Sequence, residues 1–565
     1  MQGSVIFIVL RRMRSPLVVL ILAYAIALTG LVLIPGVDNN GQPWEMSFFH
    51  AFYLISYTAT TIGFGEIPYA LTDAQRMWVT VSIYLTVIAW FYSIGNIIAL
   101  LQDPSLTQYR TLARFARQVQ RIQEPFFLLC GCGDSGRLLL GALDSRGHRV
   151  VVVDNDPEQI TELELLDSLN FVPSLCAEVG RPDNLKLAGI AHPQCRAVIA
   201  LTKNDRTNLA VVLTSKLLNP EIPVICRAES QSMAASMKIF GADYVIDPFE
   251  RFGHYLATAV SNPGNFVLRE LLTDVPGTDP PRYVAAPPGP WVVFGYGRFG
   301  SSVVANLRAQ GMEVRVVEQQ PLDCGGEGCL IGQGTDPEIL VKSGLKDAAG
   351  LVAGTNDDLD NLAILVEARE LNPDLFTVIR KNRLSNELLF DSVVADIAMQ
   401  PSEVISQFCL GVLTSPALVR FLDRCEQESN SWALTLVERI MMNVGHEVPE
   451  VWTVRVDPKE TPGLYGGKAN LVSGRTLGRL YADPRDRDQQ LPCVPLMLIR
   501  NGEDRLLPED GEPLAHDDLY LFCGTLAAQR AQGFQLRDWN VAHYLLTGSV
   551  TPGGSLWRYL EQRGA

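Results

Sequence analysis

Residues 17–34 (LVVLILAYAIALTGLVLI) run for eighteen positions without a charged side chain. A helix of that length reaches across a hydrocarbon core of roughly 30 Å. A helix apolar all round is either the buried core of a large soluble protein or a membrane span, and buried soluble helices seldom read this way for so long. A second apolar stretch, at about residues 77–101, is longer and spans with tilt or protrudes on one side. The N-terminus does not read as a signal peptide. Arg11, Arg12 and Arg14 follow the short apolar run at 5–10 rather than precede it, and no small-residue cleavage site closes the next stretch. Arg110, Arg114, Arg117 and Arg121 follow the second span, while Arg76 is the one basic residue between the spans. The positive-inside bias therefore predicts that both ends lie in the cytoplasm of a multi-pass protein of the cell (inner) membrane.

The loop between the spans constrains the function. Residues 47–60 (SFFHAFYLISYTAT) are too few to cross a membrane but enough for a helix that enters partway. They lead directly into Thr61-Ile62-Gly63-Phe64-Gly65-Glu66. Non-helical backbone at membrane depth survives only where protein buries it or where it lines a cavity. Gly63 and Gly65 accept conformations that aim successive carbonyls the same way, which other residues resist. A short helix ahead of them would point its negative end at the same place and favour a cation there.

Residues 60–66 closely resemble the selectivity filter of potassium channels, a ring of main-chain carbonyls. The resemblance implies a homotetramer in which K⁺ is held by the carbonyls of Thr61, Ile62, Gly63 and Phe64 and by the Thr61 hydroxyl, with Gly65 closing the loop. Phe64 stands where that family more often has Tyr, so a hydroxyl that braces the filter from behind is missing. Where the family often has a hinge glycine in the inner span, this chain has residues such as Val87 or Ala89, and Gly95 lies farther down. The hinge is not placed.

Beyond a basic, helical linker at about 102–124, residues 126–129 (FFLL) read as a buried strand. The strand enters Gly131-Cys132-Gly133-Asp134-Ser135-Gly136, a helix follows, and a second strand at 150–153 ends on Asp154. Strand, glycine turn, helix, strand and acid make up the dinucleotide fingerprint in its confirming context. The turn would let backbone approach a pyrophosphate at a helix N-terminus, and Asp154 would accept from ribose hydroxyls.

The pattern then recurs. Residues 291–294 precede Gly295-Tyr296-Gly297-Arg298-Phe299-Gly300, and 314–317 end on Glu318. Thr202, Asn208 and Arg227 recur as Thr355, Asn361 and Arg380, each 153 residues on. The two copies resemble paired RCK (regulator of K⁺ conductance) domains, and residues 237–248 (MKIFGADYVIDP) share that likeness. The whole is similar to prokaryotic two-transmembrane, ligand-gated potassium channels with tandem RCK domains. That resemblance implies eight RCK units in one gating ring per tetramer.

The expected fold is therefore a membrane α-helical pore, with two transmembrane helices and a re-entrant pore helix, followed by two α/β Rossmann-like RCK domains and a small α+β C-terminal subdomain. The layout is pore 1–101, linker 102–124, first RCK domain 125–275, Pro-rich linker 276–290, second RCK domain 291–445, and subdomain with tail 446–565. The expected ligand is NAD or an adenine nucleotide such as ADP. Arg137 or Arg298 is the candidate phosphate neighbour, although an arginine in such a place is more often a solvated surface residue. Asp357, Asp358 and Asp360 offer oxygens of the kind Ca²⁺ takes, but without EF-hand spacing, so a solvated helix start is the simpler expectation.

Composition removes other classes. A net charge of −15 argues against nucleic acid as a partner. Seven histidines without zinc-ligand spacing give no zinc site. Eleven cysteines sit mostly in apolar runs and read as reduced, buried thiols. A dehydrogenase would need an acid–base residue and a substrate domain, and neither is found, so no enzyme is expected. A nucleotide-binding regulatory component of a K⁺ transporter remains the alternative.

Overall fold

The computed structural model describes residues 2–66, 68–102, 104–165, 172–274, 276–279, 286–320, 329–390, 393–465 and 476–548. Part of the 276–290 linker and parts of the 446–565 region thus lie outside the described residues. The chain forms two compact units, residues 1–121 and 122–565.

In the first unit, α1 (Gln2–Leu33) is longer than the apolar stretch alone predicts and continues through Pro16. The carbonyl of Pro16 accepts from the Ser93 hydroxyl at 3.2 Å. The short helix α2 (Phe48–Ala59) is capped by Ser47, whose hydroxyl accepts from the amide of His50 at 3.3 Å. The next helix, α3 (Asp73–Leu101), begins four residues before its apolar run because Thr72 and Gln75 form a reciprocal capping box. It is uninterrupted, and α4 (Pro104–Gln120) follows. Two helices, at Met13–Leu33 and Asp73–Leu100, are long and apolar enough to cross a membrane, yet only 28% and 17% of their windows are buried. Ala27, Leu28 and Leu31 of α1 pack with Ala51, Leu54 and Ile55 of α2. The closest approach is at Gly30, where a Cβ would lie 2.0 Å from the Trp78 ring. The Trp78 indole N–H donates to the carbonyl of Ala27 at 3.0 Å.

The second unit holds two six-stranded parallel sheets. The first comprises β1 (Phe126–Cys130), β2 (Arg149–Asp154), β3 (Ser174–Cys176), β4 (Cys195–Ala200), β5 (Val224–Arg227) and β6 (Tyr244–Ile246), in spatial order 3-2-1-4-5-6. Its helices include α5 (Asp134–Asp144) and α6 (Asp205–Leu218). Strands covered on both faces need continuous apolar runs, and Val150, Val151, Val152 and Val153 are all buried. After β6 come α7 (Pro248–Ser261) and α8 (Pro263–Thr273).

The second sheet repeats the order. Its strands are β7 (Trp291–Phe294), β8 (Val314–Glu318), β9 (Cys329–Ile331), β10 (Gly350–Ala353), β11 (Phe376–Arg380) and β12 (Ile397–Met399). Helices α9 (Arg298–Ala309) and α10 (Asp358–Leu371) occupy the places of α5 and α6, and α11 (Pro401–Thr414), α12 (Pro416–Cys425) and α13 (Asn430–Val444) follow. The recurring Thr and Asn positions do the same work in both copies. The Asn208 amide donates to the carbonyls of Thr202 (2.9 Å) and Arg227 (3.0 Å), and that of Asn361 to Thr355 (3.1 Å) and Arg380 (3.0 Å).

The copies exchange helices. Phe249, Phe252 and Leu256 of α7 enter the core built on Trp291, Val293 and Phe299 of the second copy. Ile405, Cys409 and Val412 of α11 enter the core of the first, against Leu139, Leu140 and Leu143. Backbone and side chains approach closely where a Cβ on Gly253 would lie 2.9 Å from Ser302 Oγ.

The C-terminal sheet is antiparallel. It comprises β13 (Glu450–Arg455), β14 (Cys493–Arg500), β15 (Glu503–Leu506) and β16 (Leu519–Gly524), in the order 13-16-14-15. It packs on Leu268, Phe421 and Leu436 of the helices that leave both copies. Nine described cysteines are free and eight of these are buried. Cys329 departs from the all-reduced expectation because it is disulfide-bonded. It starts the half-buried edge strand β9 beside residues 321–328, which lie outside the described residues, rather than sitting in a closed core.

Two outcomes follow from this packing. Gly30→Leu should lower the melting temperature of the detergent-solubilised chain, because overpacking costs about 1–3 kcal/mol, and Trp78→Ala in the same chain should recover part of the loss. His254 of α7 lies 3.1 Å from the Glu426 carboxylate, and that hydrogen bond raises its pKa. A raised histidine stabilises the fold below its unfolded pKa of about 6.5 and loses that contribution as pH rises through the folded value. The melting difference between wild type and His254→Gln should therefore be larger at pH 5.5 than at pH 8.5.

Candidate functional sites

The loop after α2 is built from its hydrogen bonds outward. The amides of Thr61 and Ile62 donate to the carbonyls of Thr58 (3.0 Å) and Tyr57 (2.9 Å), which turn the chain off the helix. Thr61, Gly63 and Gly65 have φ of 62°, 67° and 93°. Left-handed residues at every second position rotate alternate peptide planes so that successive carbonyls face one side. The two glycines sit where that geometry is cheap, and Thr61 adopts it despite its branched side chain, at a cost of order 1–3 kcal/mol. A Cβ at Gly63 or Gly65 would meet nothing within 4 Å. The loop thus brings together Thr61, Ile62, Gly63, Phe64 and Gly65.

Sequence reasoning missed what braces this loop. The Tyr57 hydroxyl donates to the carbonyl of Gly65, so a residue of α2 supplies the hydroxyl that Phe64 lacks. Phe64 stacks on Tyr53 at 6.5 Å between ring centroids and meets Tyr57 edge-on at 5.5 Å. Beyond the loop, Glu66 accepts from Arg76 at 2.9 and 3.1 Å and from the amide of Leu71 at 2.9 Å. The i to i+8 separation of Tyr57 and Gly65 gives no periodic signal; only the presence of tyrosines on the preceding helix hinted at it.

In the second unit both glycine turns connect a central strand to a helix. Gly131 has φ of 100° and Gly295 of 88°. A Cβ on Gly136 would lie 2.3 Å from the carbonyl oxygen of Gly131, and one on Gly300 would strike the carbonyl oxygen of Gly295. The third glycine of each turn therefore permits close helix–strand packing. Gly133 and Gly297, the N-caps of α5 and α9, face open space. That is where a phosphate group meets the free amides of a helix N-terminus, so the residues present fit a nucleotide.

The acids sit as expected but are already engaged. Asp154, 6% exposed, accepts from the amides of Cys132 and Asp156. Glu318 accepts from the amides of Tyr296, Gln319 and Gln320. Each carboxylate thus holds its glycine turn, and its remaining lone pairs are what a ribose would find. Ser135 is buried in the first turn of α5. Burial pushes the Cys132 thiol up to about 12.

The arginines and one of the acids differ from expectation. Arg137 is paired with Asp134 (3.1 Å) and Glu162, and Arg298 is paired with Glu229 of the first copy (3.0 Å), so neither is merely solvated. Asp357 caps α10 by accepting from Leu359 (2.8 Å), and the buried Asp358 accepts from the amide of Asn382 and from Asn386, both at 2.7 Å. These acids form a helix start as expected, with Asp357 its exposed N-cap, and only Asp358 departs from the expectation by being buried. Among the described residues no cluster of three or more His, Cys, Asp or Glu is arranged for a metal ion, which removes the support for Ca²⁺.

Comparison with known proteins gives likenesses for both units. A family model described as "Ion channel" matches residues 17–103, and one described as "TrkA-N domain" matches 127–248 and again 291–401. The chain joins an ion-channel domain to two TrkA-N domains. This potassium-channel homologue is 26% identical over 225 residues to Potassium channel protein 1 of Methanocaldococcus jannaschii, covering 39% of this chain and 64% of that protein. It is also 26% identical over 237 residues to the voltage-gated potassium channel Kch of Escherichia coli, covering 41% and 54%. The chain thus spans less than two thirds of the length of these relatives. Among solved structures, the GsuK channel bound to NAD is similar at 17% identity, covering 94% of this chain and 99% of that one, with a TM-score of 0.45. The potassium-channel homologue is expected to tolerate aspartate at its open N-caps. Gly133→Asp and Gly297→Asp should each fold with a melting temperature no lower than wild type, since aspartate caps helices and a Cβ meets nothing within 4 Å at either position.

Proposed function

We propose that this chain is one subunit of a K⁺-selective channel in which four copies set residues 60–66 around a common axis. The carrying observation is the left-handed alternation at Thr61, Gly63 and Gly65 directly after α2, between two helices of membrane-spanning length. The carbonyls of Thr61, Ile62, Gly63 and Phe64, with the Thr61 hydroxyl, replace the hydration shell of K⁺. Tyr57 and the Glu66–Arg76 pair hold the loop from behind and above. The distribution of arginines supports cytoplasmic termini in the cell membrane.

The two glycine turns bind a nucleotide such as NAD or ADP and regulate the pore. The chain runs from α3 to β1 through α4, so a change of shape in a ring of eight TrkA-N units is delivered to the inner helices through that segment. Gating requires the nucleotide to prefer one ring shape. Moving a pore from 1:99 to 99:1 takes about 10⁴-fold preference, roughly 5.5 kcal/mol. Summed over several sites in a tetramer, a modest preference at each suffices. A regulatory component of a K⁺ transporter would leave residues 17–103 without a role.

Reconstitution into liposomes tests the reading. Wild-type protein should carry K⁺ over Na⁺, and ADP or NAD should change the flux. Gly65→Ala, which forces a side chain onto φ of 93°, should abolish the current. Tyr57→Phe, which removes one hydrogen bond of about 1 kcal/mol, should lower the K⁺/Na⁺ ratio several-fold while current persists. No K⁺ flux from wild type under either nucleotide would overturn the proposal.

A further inference from the structure

The two glycine turns differ in the residue that opens the helix: Asp134 in α5 and Arg298 in α9. The Arg298 guanidinium reaches out of its own copy. One nitrogen donates to the main-chain carbonyl of Glu229 at 2.9 Å, and another lies 3.0 Å from the Glu229 carboxylate. Glu229 follows β5 of the first copy, and its second carboxylate oxygen takes Arg227 at 2.8 Å. Its amide donates to Asp205 at 2.9 Å, which ties its backbone to the start of α6. The exchange of α7 is what allows this contact, because Phe249 at its start sits beneath Arg298, 5.3 Å from the guanidinium.

A third arginine stands beside this pair. Arg380, at the end of β11, lies 4.8 Å from the Phe249 ring and 5.4 Å from that of Phe299 in the first turn of α9. It donates to Asn356 at 2.9 Å, while its enclosed Nε has no acceptor among the described residues. Burial and then the nearby Arg298 push its pKa down to about 10, so the two positive charges feel each other. The neighbouring acid Asp358 is occupied by Asn382 and Asn386. Two guanidinium groups, Arg227 and Arg298, therefore share one bridging carboxylate, and a third, Arg380, stands close enough to Arg298 for the two charges to repel. Arg298 opens the helix whose N-terminus meets a bound phosphate, and Arg380 stands at the carboxyl end of a strand of the same sheet, beside Arg298.

We propose that Glu229 is a built-in occupant of an anion site in the second cleft, and that the phosphates of a nucleoside diphosphate group displace it from Arg298. The inference rests on the reading of the second turn as a nucleotide cleft and adds a competitor from the other copy. Carboxylate and phosphate make the same charge-assisted bonds to guanidinium, so one replaces the other without leaving an arginine unpaired. When phosphate takes Arg298, the link between α9 and the end of β5 is lost while Glu229 keeps Arg227. Ligand binding in one copy thereby loosens a contact with the other, and by linkage whatever strengthens that contact weakens binding.

Calorimetric titration of ADP into the detergent-solubilised full-length chain tests this, with the first cleft closed throughout by Gly133→Asp. Glu229→Gln should tighten ADP binding about tenfold, and adding Arg298→Gln should cancel that gain. Arg380→Gln should weaken binding with or without Glu229. Equal affinity in the presence and absence of Glu229→Gln overturns the displacement while leaving the nucleotide cleft standing. A gain that survives Arg298→Gln also overturns it, since the effect would then come from a loosened fold. No binding in either background removes the nucleotide cleft and this inference together.

Discussion

The apolar faces of α7 and α11 are buried against helices and strands of the opposite copy, so neither parallel sheet is covered without the other. Burial of side chains such as Phe252, Leu256 and Ile405 contributes roughly 1.5–3 kcal/mol each, which makes this exchange the dominant link between the copies. Much else follows from it. Gly253 must lack a side chain for α7 to meet α9, Phe249 is carried beneath the second glycine turn, and Glu229 comes within reach of Arg298. The helices that leave the exchange, α8, α12 and α13, then supply the surface on which the C-terminal sheet folds.

The pore unit solves a different problem, that of holding carbonyls in an arrangement the backbone resists. Alternating left-handed residues set the direction of the carbonyls, and side chains of α2 and α3 hold the loop in it. Tyr57 secures Gly65 from within α2, and the two-point contact of Glu66 with Arg76 ties the loop's exit to α3. A loop fastened at both ends keeps its spacing even though Gly63 and Gly65 contribute no side chain to hold it.

Local features were legible in the sequence. The strand-and-glycine pattern gave both sheets, and the 153-residue repeat anticipated the matching hydrogen bonds of Asn208 and Asn361. Strands near 451–456, 494–499 and 519–522 were visible as short apolar runs and lie at Glu450–Arg455, Cys493–Arg500 and Leu519–Gly524. What stayed hidden was non-local. An amphipathic helix announces that it needs a partner but not which one, so the exchange of α7 and α11 left no trace. The pairing of Arg298 with Glu229 depends on that exchange and was equally unreadable. The early start of α3 was written in Thr72 and Gln75, whereas the length of α1 was obscured by Pro16, which marks a helix start more often than a helix interior.

The helix exchange also bears on how the chain is made. The residues that complete the first core, Ile405, Cys409 and Val412, are synthesised long after Leu139, Leu140 and Leu143, which wait for them. At ribosomal speeds of about 5–20 residues per second the delay is on the order of tens of seconds, far longer than a small domain takes to collapse. During that interval the nascent first copy displays a greasy helix with no cover. A second ribosome on the same message would release an identical α11 nearby, so the order of translation itself offers a route by which neighbouring chains can interlock.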